Sequence, residues 1–517
     1  MTLRSVATAA PLPEVDASRP GAAPRRFGPK LLIPLVSGGS MVYSQLLSAG
    51  FGVFLAAFLG ADAFGSMNLA RNILTNAIFL APLGLDQALQ RHLGERGAAE
   101  GDGAELFWLR ALPLALSGAA ALALLAGGGA FVEAHLFRHA GFGAVLAVTM
   151  LALPFFADLT VLGGAYRGRY RPMPSVVASF LVQPTLRVIA VLALCLWTTR
   201  LWAAVDGTLL SYAAAWAVLA WRARRDFPLR AGALRPALTR AAAVLRYAPV
   251  LGLSTFLFAM AKTLDVTALG LVDDLAEVGR YSVVVMMCQL VGTVGNALGQ
   301  TIGASVASAA KAGDRPRLVA ILSENMELSA FVAAPFCVAV AAWGSDVDLL
   351  LGPNYATPAL VFVVAALSQW VFTVAHNCSA ALSMTGRHKL ELGNNALALA
   401  VEVVACALLV PRFGMVGAAA ATAAMVVGLN ALRQVQIGRM LGDNLLRWRF
   451  LAPLALSAAL ALPLVWLEAV AGFRAWWLTG LLAGAHVALS FAAMLTLLAG
   501  ADQRRRLLAP LRRLRRG

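Results

Sequence analysis

Lys262 and Asp265 stand three residues apart in an otherwise apolar stretch, FAMAKTLDVTALGLV. A charged side chain at the centre of a membrane-length helix costs roughly 2.5–3.5 kcal/mol, so such groups face protein or water and often mark a pathway. Two readings are open from the residues alone. The pair can neutralise itself, because i and i+3 neighbours meet on a helix, or each group can serve a cavity. Arg187 is a third intramembrane charge, about 20 Å into its segment at 1.5 Å per residue. Pro184, just before it, can kink the helix and free carbonyls there. Glu402 lies in another apolar run, seven residues beyond Asn395. A carboxyl group in such a place can hold a proton or bind sodium, which makes Asp265 and Glu402 ion-coupling candidates.

Neutral polar residues repeat on single helical faces, where i, i+3, i+4 and i+7 share a side. One face carries Ser175, Ser179, Gln183 and Arg187, and another Gln289, Thr293, Asn296 and Gln300. A third carries Gln369, Thr373, His376 and Ser383, and a fourth Asn68, Asn72 and Asn76, followed by Asp86 and Gln90. Any one stripe can be explained by hydrogen bonding between packed helices. Several stripes spread over the whole chain favour a water-accessible central cavity. The cavity candidates are therefore Arg187, Lys262, Gln183, Asn72, Asn76, Asn296, Gln300, Gln369 and His376.

The elements that position these residues are membrane spans. The 517 residues are 60% hydrophobic and 13% charged, with mean hydropathy +0.75; a soluble chain is about 25% charged. Apolar runs long enough to cross a ~30 Å hydrocarbon core recur throughout. They are too long, and too lacking in alternation, for barrel strands. Fourteen spans are expected: 31–58, 67–90, 106–127, 142–164, 173–198, 202–222, 247–271, 280–304, 319–343, 358–383, 389–410, 414–436, 450–470 and 475–499. The fold class is thus an all-α polytopic membrane protein.

The net charge of +16 follows this topology and does not call for nucleic acid. Of 42 Lys and Arg, 34 fall to the two termini and alternate loops. Arg71, Arg138, Arg200, Arg280, Arg412 and Arg474 fall to the other side, and Arg187 and Lys262 within spans. That asymmetry places both termini in the cytoplasm. Residues 1–30 read as a disordered Pro/Ala/Arg-rich tail, with no cleavable signal. Residues 500–517 read as a basic tail able to rest on anionic headgroups.

The longest charged connection, 223–246, divides a six-span half (31–222) from a second (247–436), and 450–499 adds a further pair. FLGADAFGSMN leaves span 1 as LGLVDDLAEVGRY leaves span 7, matching Gly65 to Gly279 at an offset of 214. Both halves start with the chain running outward, which implies a parallel repeat about an axis along the membrane normal, a transporter habit. Glu324 and Glu327 sit near the inner end of span 9 as weaker candidates, and Asp273–Asp274 in a short outer loop reads as solvated. The five cysteines are scattered within spans, His376 and His486 are isolated, and no metal spacing, cofactor or P-loop motif is present. External connections of at most about 15 residues leave little room for the catalytic loop of a membrane polymerase or ligase.

The segment DVTALGLVDDLAEVGRYSVV (265–284) resembles the span 7–8 junction of the polysaccharide repeat-unit flippases, in the multidrug/oligosaccharidyl-lipid/polysaccharide exporter superfamily. Asp265, Leu269, Gly270, Glu277, Val278, Gly279 and Tyr281 carry the likeness. LLGPNYATPALVF (350–362), VPRFGMVGAAAAT (410–422) and the opening FLGADAFGSMNLARNILTNAIFLAPLGLDQALQRHLGE are similar to that family in the same order. The resemblance implies two six-helix lobes that alternate their opening between cytoplasm and periplasm in a bacterial inner membrane. The implied cargo is an undecaprenyl-pyrophosphate-linked oligosaccharide for O-antigen, capsule or exopolysaccharide assembly. Membrane lipids and a polymerase and co-polymerase of the same pathway are the implied partners. Arginine's planar fork and lysine's point charge suit a pyrophosphate, so Arg187 and Lys262 are expected to hold it across the lobe interface. Release of Lys262 on protonation of Asp265 would make that pair a switch. The alternative is an ion-coupled multidrug exporter of the same superfamily. The lipid II flippase branch also has fourteen helices but carries arginines in helix 1, and span 1 here has none.

Overall fold

The computed structural model describes residues 29–96, 103–169, 171–227, 234–375, 377–385, 387–442, 450–471 and 475–498, all of which are helix or short connection. The expected tails and the centre of the 223–246 linker lie outside the described residues. Ala- and Leu-rich runs favour helix, and a bilayer requires each backbone amide to find its partner within the segment. Eleven helices are long and apolar enough to cross a membrane. One of them, His388–Leu441, is two legs joined at a turn where Gly414 adopts φ 53° and ψ −131°, three residues after Pro411. Ala359–Ala375 is apolar but shorter. Span 2, Ala61–Leu80, is less apolar because it carries an exposed Asp62 at its outer end together with Asn68, Arg71, Asn72 and Asn76, which are buried or half-buried against protein. Together these complete the fourteen spans.

Several boundaries differ from the sequence reading. Span 7 begins at Leu234, within the expected linker, and span 8 runs from Leu275 to Ala312. Spans 2 and 7 are broken. Span 2 stops at Leu80 and resumes at Leu85–Arg96 after a turn with positive φ at Leu83 and Gly84. Span 7 is interrupted at Lys262–Thr263, between Leu234–Ala261 and Leu264–Val272. In span 5, π-helical Val177–Val182 precedes Gln183–Leu194, the wider turn falling just before Pro184, which has no N–H to give.

Two glycine crossings join the halves. A Cβ on Gly65 would lie 1.8 Å from the Leu275 carbonyl oxygen and 2.8 Å from the Gly279 nitrogen, so spans 2 and 8 touch through bare backbone. A Cβ on Gly279 would in turn lie 2.1 Å from the Ala61 oxygen. The contact is reciprocal in the offset of 214, since 65 meets 275 and 279 meets 61. Contacts at a two-fold axis have this property, as at an isologous interface. The second crossing lies toward the face on which the chain ends, where a Cβ on Gly84 would lie 2.1 Å from the Ala248 oxygen and 2.5 Å from the Gly252 nitrogen.

Buried ion pairs hold the helices within each half. Arg110 grips Asp158 with two bonds of 2.7 and 2.6 Å, and Trp216 donates to the same carboxylate at 2.7 Å. Arg433 pairs with Glu391 and donates to Asn395 Oδ1 at 2.9 Å, while Asn395 reaches Ser254 and Ser379 donates to Glu391. These bonds tie spans 7, 10, 11 and 12 together on the terminal side of the span 7 break. The last helix pair, Leu451–Ala471 and Trp476–Leu497, is fastened to span 9 by Glu468, which accepts from Trp343 at 2.8 Å and Thr479 at 3.0 Å. Trp466, Trp476, Trp477 and Trp197 are exposed near span ends on one face, where amphipathic rings favour the headgroup layer.

Candidate functional site

A cavity of about 400 Å³ lies mostly within the second half, lined by residues of spans 7, 8, 10 and 12 and bordered by Gln45 of span 1 and Phe79 of span 2. Lys262, Asp265 and Gln369 line it together with Gln45, Gln289 and Tyr281. The two glycine crossings, of span 2 with span 8 and of span 2 with span 7, lie on either side of Phe79 along span 2.

Lys262 and Asp265 do not form an ion pair. The break at Lys262–Thr263 destroys the three-residue register that would bring them together, because Thr263 adopts φ −133° and ψ 0°. The two groups still line the same cavity as electrostatic neighbours, so protonation of Asp265 would act on Lys262 across the cavity wall and not through a direct bond. Lys262 Nζ instead donates to Gln369 Oε1 at 3.3 Å and stands 4.5 Å from the Phe372 ring centroid. Asp265 Oδ2 accepts from the Tyr281 hydroxyl at 2.7 Å, and its Oδ1 accepts from the Val266 amide at 2.8 Å.

Thr422 connects the two intramembrane carboxyl groups. Its hydroxyl oxygen lies 3.0 Å from both Asp265 Oδ2 and Glu402 Oε1, and Glu402 is fully buried with Oε2 unpartnered. A hydroxyl has one proton to donate and lone pairs with which to accept. Thr422 can satisfy both neighbours at once when one carboxyl carries a proton, so the arrangement has a place for one proton shared between spans 7 and 11.

The asparagines of span 2 bridge the halves. Thr263 donates to Asn76 Oδ1 at 2.7 Å, Thr267 to Asn72 Oδ1 at 3.3 Å, and Asn76 to Asn72 at 3.3 Å. These bonds sit immediately beyond the span 7 break. On the face away from the termini, Tyr355 donates to the Ala56 carbonyl at 2.7 Å and His139 bonds the Gly270 carbonyl at 2.9 Å, so the halves are latched there as well.

Arg187 is placed elsewhere. It is buried inside the first half, its guanidinium 5.3 Å from the Phe51 ring and its Nε without a partner. Arg71 of span 2 and Tyr212 of span 6 are its electrostatic neighbours. No carboxylate among the described residues pairs with either guanidinium. Gln183 donates to Ser211 at 3.1 Å, a bond between spans 5 and 6. The side chains of Asn296 and Gln300, and all of His376, lie outside the described residues. His486 is buried beside Ser457 and Ser490 in the last helix pair, away from the cavity.

Sequence reasoning passed over Arg71, Arg110 and Arg433 by assigning them to the margins of spans, and all three lie within helices. It also passed over Thr422, Tyr281 and Thr263 as parts of the site. A hydroxyl in a membrane helix is common enough that only a carboxylate partner would single it out.

Comparison with known proteins places this geometry. A family model described as "Polysaccharide biosynthesis protein" matches residues 35–302, just over half of the chain. No curated protein sequence matches the chain. Among solved structures, the lipid II flippase MurJ in an inward closed conformation is similar at TM-score 0.67 and 11% identity, covering 89% of this chain and 98% of that one. A multidrug resistance MATE family transporter of the MOP superfamily, inward-facing, is similar at TM-score 0.61 and 15% identity, covering 80% and 97%. A Vibrio cholerae MATE transporter follows at TM-score 0.58 and 12% identity, covering 80% and 97%. The chain belongs to the polysaccharide biosynthesis protein family, and its fold is that of the MOP superfamily.

Proposed function

We propose that the protein moves undecaprenyl-pyrophosphate-linked oligosaccharide repeat units from the cytoplasmic to the periplasmic leaflet of a bacterial inner membrane, by alternating access, for surface polysaccharide synthesis. Both termini face the cytoplasm in this reading. The observation that carries it is the cavity, whose largely apolar wall bears the amides of Gln45, Gln289 and Gln369, the hydroxyls of Tyr281, Ser368 and Thr422, and the opposite charges of Lys262 and Asp265. Sugar hydroxyls need neutral donors and acceptors, and the amide-lined wall supplies them. Arg187 and its electrostatic neighbour Arg71 lie away from this cavity, inside the first half and without a carboxylate partner among the described residues, and a pyrophosphate is the polyanion that would suit them there. Alternating access would open one glycine crossing while the other stays shut.

The Asp265–Thr422–Glu402 link supplies the coupling site in this proposal. A proton or sodium ion bound there would alter how the upper part of span 7 is held, and with it the Thr263–Asn76 and Thr267–Asn72 bonds across the halves. A multidrug exporter of the same superfamily is the competing reading, and an ammonium in the cavity is poorly matched to cationic drugs. Deletion of the gene tests the proposal. Lipid-linked repeat units should accumulate on the cytoplasmic leaflet while surface polysaccharide disappears. Normal surface polysaccharide in a strain without a second flippase would contradict it.

A further inference from the structure

We infer that the guanidiniums of Arg71 and Arg187, with the Tyr212 hydroxyl, form a site inside the first half for a small monovalent inorganic anion such as chloride, held there between cargoes. The site stands on this chain's own residues. Its exchange of that anion for cargo rests on the reading of the cargo as a pyrophosphate-linked glycan.

Four spans converge here: Phe51 comes from span 1, Arg71 from span 2, Arg187 from span 5 and Tyr212 from span 6. Arg71, Arg187 and Tyr212 act on one another electrostatically, so their charged and polar ends share one locality. Arg187 is 8% exposed and its Nε has no partner. A buried lysine can shed its proton, but arginine keeps its charge at any pH a cell reaches. Two fixed positive charges therefore stand together within the membrane. Arg110 and Arg433 show how this chain otherwise treats a guanidinium inside a helix bundle, each meeting a buried carboxylate, Asp158 or Glu391. No carboxylate among the described residues pairs with Arg71 or Arg187. The Phe51 ring, 5.3 Å from the Arg187 guanidinium, offsets only part of the cost of taking an unpaired ion out of water. The like charge of Arg71 adds to that cost. One bound anion relieves both terms at once.

The chemistry of the donors names the ligand class. Both guanidiniums and the phenol offer N–H and O–H groups, and a guanidinium accepts nothing. The remaining wall is aromatic, Phe51 on one side and Tyr212 packed edge-on against Phe156 at 5.2 Å on another. Such a wall favours an anion that sheds water readily, chloride before phosphate. A pyrophosphate ester offers the same donors several charged oxygens and bidentate geometry, so it should displace the chloride.

The test follows thermal unfolding of the purified full-length protein in nanodiscs, with chloride replacing gluconate at constant ionic strength. The wild type should gain melting temperature saturably with chloride, as expected of a ligand that binds the folded state. Arg71→Gln and Arg187→Gln should each raise the half-saturating chloride concentration roughly tenfold, the loss of one charge contact. Each should also unfold at a higher temperature than the wild type in gluconate, because each removes half of an uncompensated pair. Arg200→Gln, which alters an exposed guanidinium, should keep the wild-type response. Undecaprenyl pyrophosphate should raise the wild-type half-saturating concentration. A wild type indifferent to chloride, or wild-type chloride responses in both Arg71→Gln and Arg187→Gln, would overturn the site. Stabilisation by inorganic phosphate and not by chloride would overturn its assignment to a monovalent anion. A chloride response that the lipid leaves unmoved would instead overturn the placing of pyrophosphate on these arginines, a separate result.

Discussion

Adding one methyl group at Gly65 should open the face of the molecule away from the termini. The Cβ of Gly65→Ala would lie 1.8 Å from a backbone carbonyl oxygen, where ordinary contact starts at 3.4 Å, and backbone cannot rotate aside as a side chain can. Spans 2 and 8 must then part by about 1.6 Å or bend locally, and overpacking of this kind costs roughly 1–3 kcal/mol. The cost falls on the closed arrangement, because the clash exists only while the two helices cross. A bias of 1–3 kcal/mol shifts a two-state equilibrium about 5- to 150-fold. The reciprocal contact means that Gly279→Ala, whose Cβ would meet the Ala61 oxygen at 2.1 Å, should act in the same direction. The assay is labelling of Gln289→Cys, in the cavity wall, in a background lacking the five native cysteines, with a membrane-impermeant maleimide added from the side away from the termini. Both alanine variants should raise the labelling rate several-fold while Gly50→Ala, where a Cβ meets nothing within 4 Å, leaves it unchanged. Unchanged labelling in Gly65→Ala and Gly279→Ala would refute the crossing as a gate.

Arg433→Met should destabilise the protein by about 3–5 kcal/mol, because it leaves the Glu391 carboxylate buried without its partner; thermal unfolding in detergent reads this, and Glu391→Leu added to it should recover most of the loss. A single-variant loss below about 1 kcal/mol would mean the pair is not buried as described. Arg187→Ala and Arg71→Ala should each impair export of the repeat unit at normal membrane abundance, and full activity in both would remove the two arginines from the mechanism. Glu402→Gln keeps the shape and a hydrogen bond to Thr422 but fixes the neutral state, so transport should lose its dependence on pH or sodium. An unaltered dependence would rule Glu402 out as part of the coupling site.

The membrane class and the number of spans are readable because hydropathy and span length report directly on the bilayer. The expected repeat rested on little more than Gly65 and Gly279, two residues that the structure brings into the same crossing of spans 2 and 8. The site was only partly legible. AMAKTLDV contains neither proline nor glycine, so nothing local announces that span 7 breaks at Lys262–Thr263, and an unbroken helix would have paired Lys262 with Asp265. Proline in span 5 did announce the irregular turn before Gln183. Arg110 and Arg433 lie within a turn or two of span ends, where arginine usually reaches headgroups. Their burial depends on Asp158 and Glu391, partners 48 and 42 residues distant that periodicity cannot reveal.

The central claim is that this chain carries a pyrophosphate-linked glycan across the membrane. Its most direct test is reconstitution of the purified protein into proteoliposomes holding an undecaprenyl-pyrophosphate-linked glycan, followed by the rate at which the glycan becomes accessible on the far leaflet. The expected result is protein-dependent translocation that Arg187→Ala and Lys262→Gln slow. Translocation no faster than in protein-free vesicles, with or without a proton or sodium gradient, would contradict it.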